Sequence, residues 1–485
     1  MSRTQAWASG LALALFAVLT LDLATVSTRV RIEDGPTVIT VRKPSPRPSA
    51  SPSPSPTPNS CPETYNPPDP FRPVMELSFE VGADYATVTG HEQLTFFPTA
   101  KVTEVILRLW PNSPISASLG GGMTISNVAV QGISVTPVLE QASTLARLPM
   151  RNPGFKGLPV SVTADFTMTL PRGANERFGY EPGLSWFGSG FPLLAYEPGK
   201  GWATDPPTHA FAEAATSPAM SVTTTVTVPQ AGDQVVGPGK RTPIGPTTTR
   251  FTADSIRDVA IAVGRFTTAS GVSAAGVPID AYVADGVSDS TSAYVQDQVS
   301  ALNDHANRLG PYPYPRLASI TLPSIRGGIE YPGVIFYGPN QHGATTSHEV
   351  AHQWFYSLVG NDQGRDPWLD ESFATFIEAL HRGTNYANVP IPAYGLDRVG
   401  QPMAYWEPNT SAYFNSVYLQ GANALIRARN AVGATNFDNA LRCYIRVNAH
   451  RIATPNDLAR AFRLLPPVVA ELRKVGALPT PGAGK

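Results

Sequence analysis

The chain has 485 residues, enough for two or three domains, and a net charge of −1 with 15% charged residues. That balance removes the electrostatic case for a nucleic-acid or polyanion partner. The apolar fraction of 42% is that of a folded protein, while 48 prolines are about twice the usual share.

In chain order, Ala6 to Val26 is almost wholly apolar, broken only by Thr20, Asp22 and Thr25. Its length lies at the border between a signal-peptide core and a membrane-spanning helix. No clean A-x-A site follows it, so the expectation is an uncleaved signal anchor. Lys43 to Cys61 reads KPSPRPSASPSPSPTPNSC. Proline at alternate positions removes backbone donors and favours an extended polyproline II spacer. Residues 1–30 therefore read as a signal anchor or signal peptide and 31–68 as a Pro/Ser-rich linker. The folded part is expected outside the cytoplasm, tethered to the membrane, or secreted if cleavage occurs. Cys61 and Cys443 are the two cysteines. One disulfide and two unpaired thiols are equally compatible with them.

Residues 69–270 read as an all-β module. MELSFEV, ATVTGHEQLTFF, EVILRLW, SVTADFTMTL, MSVTTTVTV and DVAIAVGRF alternate or run apolar over strand lengths, with turn residues between them. The intervals Gly188 to Asp205 and Gly237 to Thr249 read as long loops. His91 and His209 read as surface or strand histidines.

From 271 to 485 the character changes to α+β. VPIDAYVA, ASITLPS and GGIEYPGVIFYG are strands, and Ser288 to Leu309 is helical with Tyr294, Val295, Val299 and Leu302 on one face. Helices are expected over about Thr345 to Val359, Leu369 to His381, Ser411 to Asn430, Asn436 to Asn448, Pro455 to Leu464 and Pro466 to Val475. A frayed tail is expected beyond Val475. His305 and His381 read as surface residues, and His342 as a loop histidine.

The chemistry concentrates in TTSHEVAHQWF. Residues four apart on a helix share a face, so His348 and His352 can present imidazoles to one metal ion. Glu349, offset by a fraction of a turn, is placed to handle a water instead. Catalytic zinc takes three protein ligands and keeps an open position. Glu371, 19 residues after His352 in DPWLDESFATFIEALH, supplies the third from the first turn of the next helix. Asp370 beside it is either a partner of a ligand histidine or a helix N-terminal acid.

HEVAHQWF followed by WLDESFA resembles the gluzincin aminopeptidases, the family of aminopeptidase N and leukotriene hydrolase. Two further stretches carry the resemblance. GGIEYPG is similar to the family's G-x-M-E-N exopeptidase motif, with Glu330 at the Glu position. YFNSVYLQGANAL is similar to its Tyr-x-x-Gly stretch, with Tyr418 as the transition-state tyrosine and Tyr413 as a local rival. Ile329, Tyr331 and Gln420 depart from the family's Met, Asn and frequent Lys. The resemblance implies a saddle-like all-β N-terminal domain followed by a thermolysin-like catalytic domain. With about 114 residues after Glu371, the large C-terminal helical domain of bigger members is not expected.

The resemblance further implies one zinc ion per chain on His348, His352 and Glu371, with Glu349 as general base and Tyr418 as oxyanion donor. Glu330 would hold the α-ammonium of a peptide substrate with a free N-terminus, and Gly327 and Gly328 would let its backbone approach. The expected activity is a zinc aminopeptidase. The alternatives are an endopeptidase or epoxide hydrolase on the same site, or a non-catalytic, surface-tethered binding protein.

Overall fold

The computed structural model of the chain describes residues 61–209 and 216–479. The apolar Ala6 to Val26 run, the Val38 to Val41 patch and the Pro/Ser-rich linker up to Ser60 lie outside the described residues. Among the described residues, no helix is long and apolar enough to cross a membrane.

The N-terminal half is built on sheets. An eight-stranded sheet runs, in spatial order, through Lys240–Pro243, Thr248–Ile256, Met220–Thr227, Val74–Val81, Thr87–Phe96, Val160–Thr169, Gly122–Val130 and Ile133–Ser134. Its long strands alternate buried and exposed residues, as in Val74–Val81, because one face is solvated and the other packs inward. Two four-stranded sheets cover that inner face with Phe187, Leu194, Ile261 and Val263. The intervals read as loops contain strands: Leu193–Leu194, Tyr196–Glu197 and Gly201–Trp202 in one, Lys240–Pro243 in the other. They are too short for any period to show in the sequence.

The C-terminal half opens with a five-stranded mixed sheet in the order Phe266–Val272, Pro278–Ala284, Leu317–Thr321, Val334–Tyr337, Gly328–Tyr331. Its first strand begins at Phe266, so this sheet starts a few residues before the boundary expected at 270. The last strand pairs antiparallel at the edge and carries Glu330. Helix Thr291–Leu309 lies on this sheet, started by the Ser290 side chain, which accepts from the Ala293 N–H. Next come Ala344–Ala351 and Trp368–Arg382, then a helical assembly through Pro466–Lys474.

Three expectations fail here for identifiable reasons. The helix expected to reach Val359 stops at Ala351, with His352 as its C-cap. Tyr356 has φ of 89°, and its N–H bonds to the Val359 carbonyl, so the chain turns instead of continuing. The helix expected over Ser411 to Asn430 is three pieces, Thr410–Tyr413, a π-helical turn Phe414–Gln420 and Gly421–Val432. The tail beyond Val475 is anchored as far as Leu478: Gly400 N–H bonds to the Gly476 carbonyl, and Ala477 and Leu478 are buried.

The two halves join through fully desolvated polar groups. Arg257, from the β half, donates to the carbonyls of Ser217, Ser357 and Arg451. A Cβ at Gly360 would lie 2.1 Å from its guanidinium carbon. Asp258 accepts from Ser189 Oγ and from Tyr356 Oη, the latter at 3.1 Å. Arg365 ties Glu197 and Asp205 to the segment that leads into helix Trp368–Arg382. Cys61 and Cys443 are free thiols. They are neighbours, and burial together with the Cys61 thiol pushes Cys443 up to about 12.

Candidate active site

A cleft of roughly 740 Å³ runs along the edge strand and the Ala344–Ala351 helix. Gly327, Gly328, Glu330, His348, Glu349, His352, Glu371 and Tyr418 all line it. Residues singled out from four separate sequence stretches thus meet at one place.

The helical turn from Ala344 to the His352 cap brings the two imidazoles together. Their Nε2 atoms are 3.0 Å apart, and Glu371 Oε2 lies 3.1 Å from His348 Nε2 and 3.3 Å from His352 Nε2. His352 Nδ1–H donates to the Phe355 carbonyl at 3.2 Å, which leaves its Nε2 as a lone-pair donor. Two nitrogen lone pairs and a carboxylate oxygen converging this closely repel one another unless a metal ion or a proton lies between them. Tetrahedral bonds of about 2.0 Å place ligand atoms about 3.3 Å apart, so the N₂O donor set fits a zinc ion with one open position. Burial works against charging His352, yet the Glu371 carboxylate lifts it well above the usual range. Burial likewise opposes ionisation of Glu371, but the two imidazoles hold it well below.

Glu349 is buried, and its Oε2 has no hydrogen-bond partner among the described residues. Burial lifts its carboxyl to about 7, against the pull of the two histidines. Gly328 makes room for it: a Cβ there would lie 2.4 Å from Glu349 Cγ. Gly327, at φ of 87°, turns the chain into the edge strand.

Glu330 is 5% exposed. One ligand atom each from Glu330, Glu349 and His352 lie within 4.8 Å of one another. Gln363 Nε2 donates to both Glu330 Oε1 (2.9 Å) and Asp370 Oδ2 (3.0 Å). Arg177 Nη2 approaches Glu330 Oε1 at 3.7 Å. Asp370 accepts the Glu371 N–H at 2.9 Å. Of its two readings, the N-terminal acid is the one with a bond here; it is bonded to Gln363 and to neither histidine. Tyr331, next in the strand, faces the opposite way because strand neighbours alternate. It is fully buried beneath Gly188, where a Cβ would lie 2.0 Å from its ring, and Arg177 sits 5.5 Å over its ring. The departure from the family's Asn is therefore a packing contact with the β half.

Tyr418 rides on the π-helical turn and stacks on His348, centroids 5.7 Å apart at 13°. Such turns place a side chain that a regular helix would rotate away. Tyr413 is buried edge-on beneath it. Gln420 bonds to Asp397 through its side chain, away from the cleft. Trp354 and Phe355 pack the motif helix, fully buried.

Sequence reasoning missed Gln363, and it missed the β half's contribution. Ile115, Asn175, Glu176 and Arg177 form one wall, whereas nothing from 188–205 or 237–249 does. No local signal marks them, because a tertiary approach of over 150 residues brings Arg177 to Glu330. Thr375, Glu378, Tyr386 and Phe414 close the opposite side.

The remaining histidines divide. His91 pairs with Asp165 and His209 with Glu407 at the surface, and His342 faces Asp297. His305 is not a surface residue: it is fully buried between its own helix and the motif helix, where its Nε2–H donates to the Ser347 carbonyl.

Residues 295–471 match the peptidase family M1 domain. Aminopeptidase M1-D of Oryza sativa subsp. japonica is 28% identical over 232 residues, 41% of this chain and 27% of the relative. Glutamyl aminopeptidase of Mus musculus is 31% identical over 147 residues, 27% of this chain and 15% of the relative. The match thus spans about a quarter or less of these relatives' length. An M1 zinc metallopeptidase from Deinococcus radiodurans shares the fold, with a TM-score of 0.62 at 20% identity over 85% of this chain and 95% of that one. The motif-bearing helix pair and the cleft geometry agree with the match over residues 295–471, which is to the peptidase domain of family M1, the gluzincin family of aminopeptidase N.

Proposed function

We propose that the protein is a zinc-dependent aminopeptidase that removes N-terminal residues from peptides. The observation that carries this reading is the position of Glu330, whose carboxylate lies within 4.8 Å of Glu349 and His352 ligand atoms. An α-ammonium held there leaves room for one residue before the scissile carbonyl reaches the metal ligands.

Zinc, when bound by His348, His352 and Glu371, supplies a Lewis acid that polarises a carbonyl and acidifies water. The protein's own groups do the rest. Glu349 accepts the proton of the attacking water and passes it to the leaving amine. Its burial and unpartnered Oε2 suit a carboxylate that must take up and release a proton. Tyr418 donates a hydrogen bond to the developing oxyanion. Glu330 orients the substrate by its ammonium group, and Gln363 holds that carboxylate in place.

The test uses the full chain with aminoacyl fluorogenic amides beside the same substrates N-acetylated, with and without a chelator. Chelator-sensitive hydrolysis of unblocked substrates alone is expected. Cleavage of the acetylated substrates would replace this reading with an endopeptidase on the same metal site.

The apolar Ala6 to Val26 run and the proline-rich spacer after it support an extracytoplasmic, membrane-tethered placement. Membrane fractionation tests it: recovery in the soluble cytoplasmic fraction would sink it.

A further inference from the structure

We propose that Asp304, His305 and His381 form a second site for a zinc-class divalent cation, behind the motif helix and separate from the cleft. The three residues offer ligand atoms that all lie within 4.8 Å of one another. His305 Nδ1 is 3.4 Å from Asp304 Oδ2, and His381 Nδ1 is 3.5 Å from the same oxygen. These separations match the edge of a tetrahedron with metal–ligand bonds of about 2.0–2.1 Å.

The protonation pattern favours a cation there. His305 is fully buried and spends its Nε2–H on the Ser347 carbonyl at 2.9 Å. In the neutral ring, Nδ1 is then a lone pair. That Nδ1 makes no aligned hydrogen bond among the described residues, although the Asp304 oxygen is close. A lone pair facing a carboxylate oxygen at this distance is repulsive, and a cation between them turns it into coordination. A second proton on His305 is the competing solution, and it would place a positive charge on a ring that is fully buried. Two imidazoles and one carboxylate make a borderline donor set, suited to zinc and cobalt rather than to calcium or magnesium. The Asp304 and His381 side chains are about a quarter exposed, so the position is reachable by water.

Arg308 limits the affinity. It donates to both Asp304 oxygens, at 2.7 and 3.0 Å. A carboxylate has about four lone-pair positions, so Oδ2 keeps one for a metal, but the nearby guanidinium repels a second cation. The site therefore binds more weakly than the His348, His352 and Glu371 site. Its occupancy also bears on the motif helix: a cation on Nδ1 strengthens the His305 Nε2–H bond to Ser347, the residue before His348.

The test is metal stoichiometry on the full chain, made without a polyhistidine tag and dialysed against micromolar free zinc. About two zinc ions per chain are expected for the unaltered protein, about one for His381→Ala and about one for His352→Ala. Loading with cobalt should give visible tetrahedral bands in His352→Ala that vanish in the His352→Ala, His381→Ala double variant. One zinc in the unaltered chain and none in His352→Ala would overturn the proposal. If His381→Ala does not fold, Asp304→Asn keeps the side chain's size and one of the two Arg308 bonds while removing the anionic ligand. It should likewise lose one zinc, and retention of both would overturn the site. Because His352→Ala reports the second site alone, failure of the aminopeptidase reading leaves this result interpretable.

Discussion

The two halves of the molecule bury polar groups for different ends. In the catalytic half, Glu349 and Glu371 are buried beside His348 and His352, and Glu349 Oε2 is left without a hydrogen-bond partner among the described residues. In the β half, Arg257 and Asp258 are just as desolvated, and their side chains are bonded to Ser217, Ser357, Arg451, Ser189 and Tyr356. One set serves chemistry and leaves valences open; the other serves docking and closes them. Altering the first should cost activity, and altering the second should cost stability.

Glu349→Gln should produce the largest effect. It removes the proton acceptor while keeping size, so kcat should fall about 10³-fold with zinc content and melting temperature unchanged. A large stability loss would break the division, since it would mean Glu349 is held by structure.

Arg257→Met is the converse. It leaves the Ser217, Ser357 and Arg451 carbonyls without their donor, a cost of about 3 kcal/mol read from denaturant unfolding. Zinc stoichiometry should be unchanged in the folded fraction. Loss of metal without loss of stability would show that the join controls the site directly.

Tyr418→Phe should lower kcat by about 10²-fold with KM little altered, because the hydroxyl is asked to act only in the transition state. Gln363→Ala sharpens the contrast from within the cleft. It frees Glu330 and Asp370 from their shared donor and should reduce kcat/KM for unblocked substrates by about tenfold, mainly through KM.

Glu92 is the smallest and most discriminating case. It is fully buried on the inner face of the large sheet, and neither carboxylate oxygen has a partner among the described residues. Burial raises its carboxyl well above the usual range. The folded chain thus keeps a proton that the unfolded chain releases, so stability falls as pH climbs from the ordinary carboxylate range toward the raised value. Glu92→Met should flatten that slope and add about 1–3 kcal/mol at neutral pH. If stability instead drops, Glu92 belongs with the functional acids and the β half is not purely a frame.

The legibility of each residue follows the range of the interaction that places it. His348 and His352 could be paired from spacing because a single helical turn relates them. Glu371 needed only two neighbouring helices. Tyr418 was legible from its motif, although the π-helical turn that aims it was not, since such a turn leaves no compositional trace. Arg177 and Gln363 had no signal, because what makes them relevant is a carboxylate far away in sequence. His305 was misread as a surface residue: its helix shows which face is apolar, yet nothing local says that a second helix will cover its imidazole. Tyr331 looked like a change to the substrate site, and strand alternation turns it into the β half.

The sequence by itself determined the class of chemistry, the register of His348, His352 and Glu371 on their helices and the succession of a β region and an α+β region. These depend on period and spacing within short stretches, where backbone geometry leaves few options. Only the tertiary structure decided which wall faces His348, His352 and Glu371, which partners hold Glu330, where the motif helix stops and that Asp304, His305 and His381 converge. Those depend on long-range packing, in which the same side chain is surface, core or ligand according to what is brought against it.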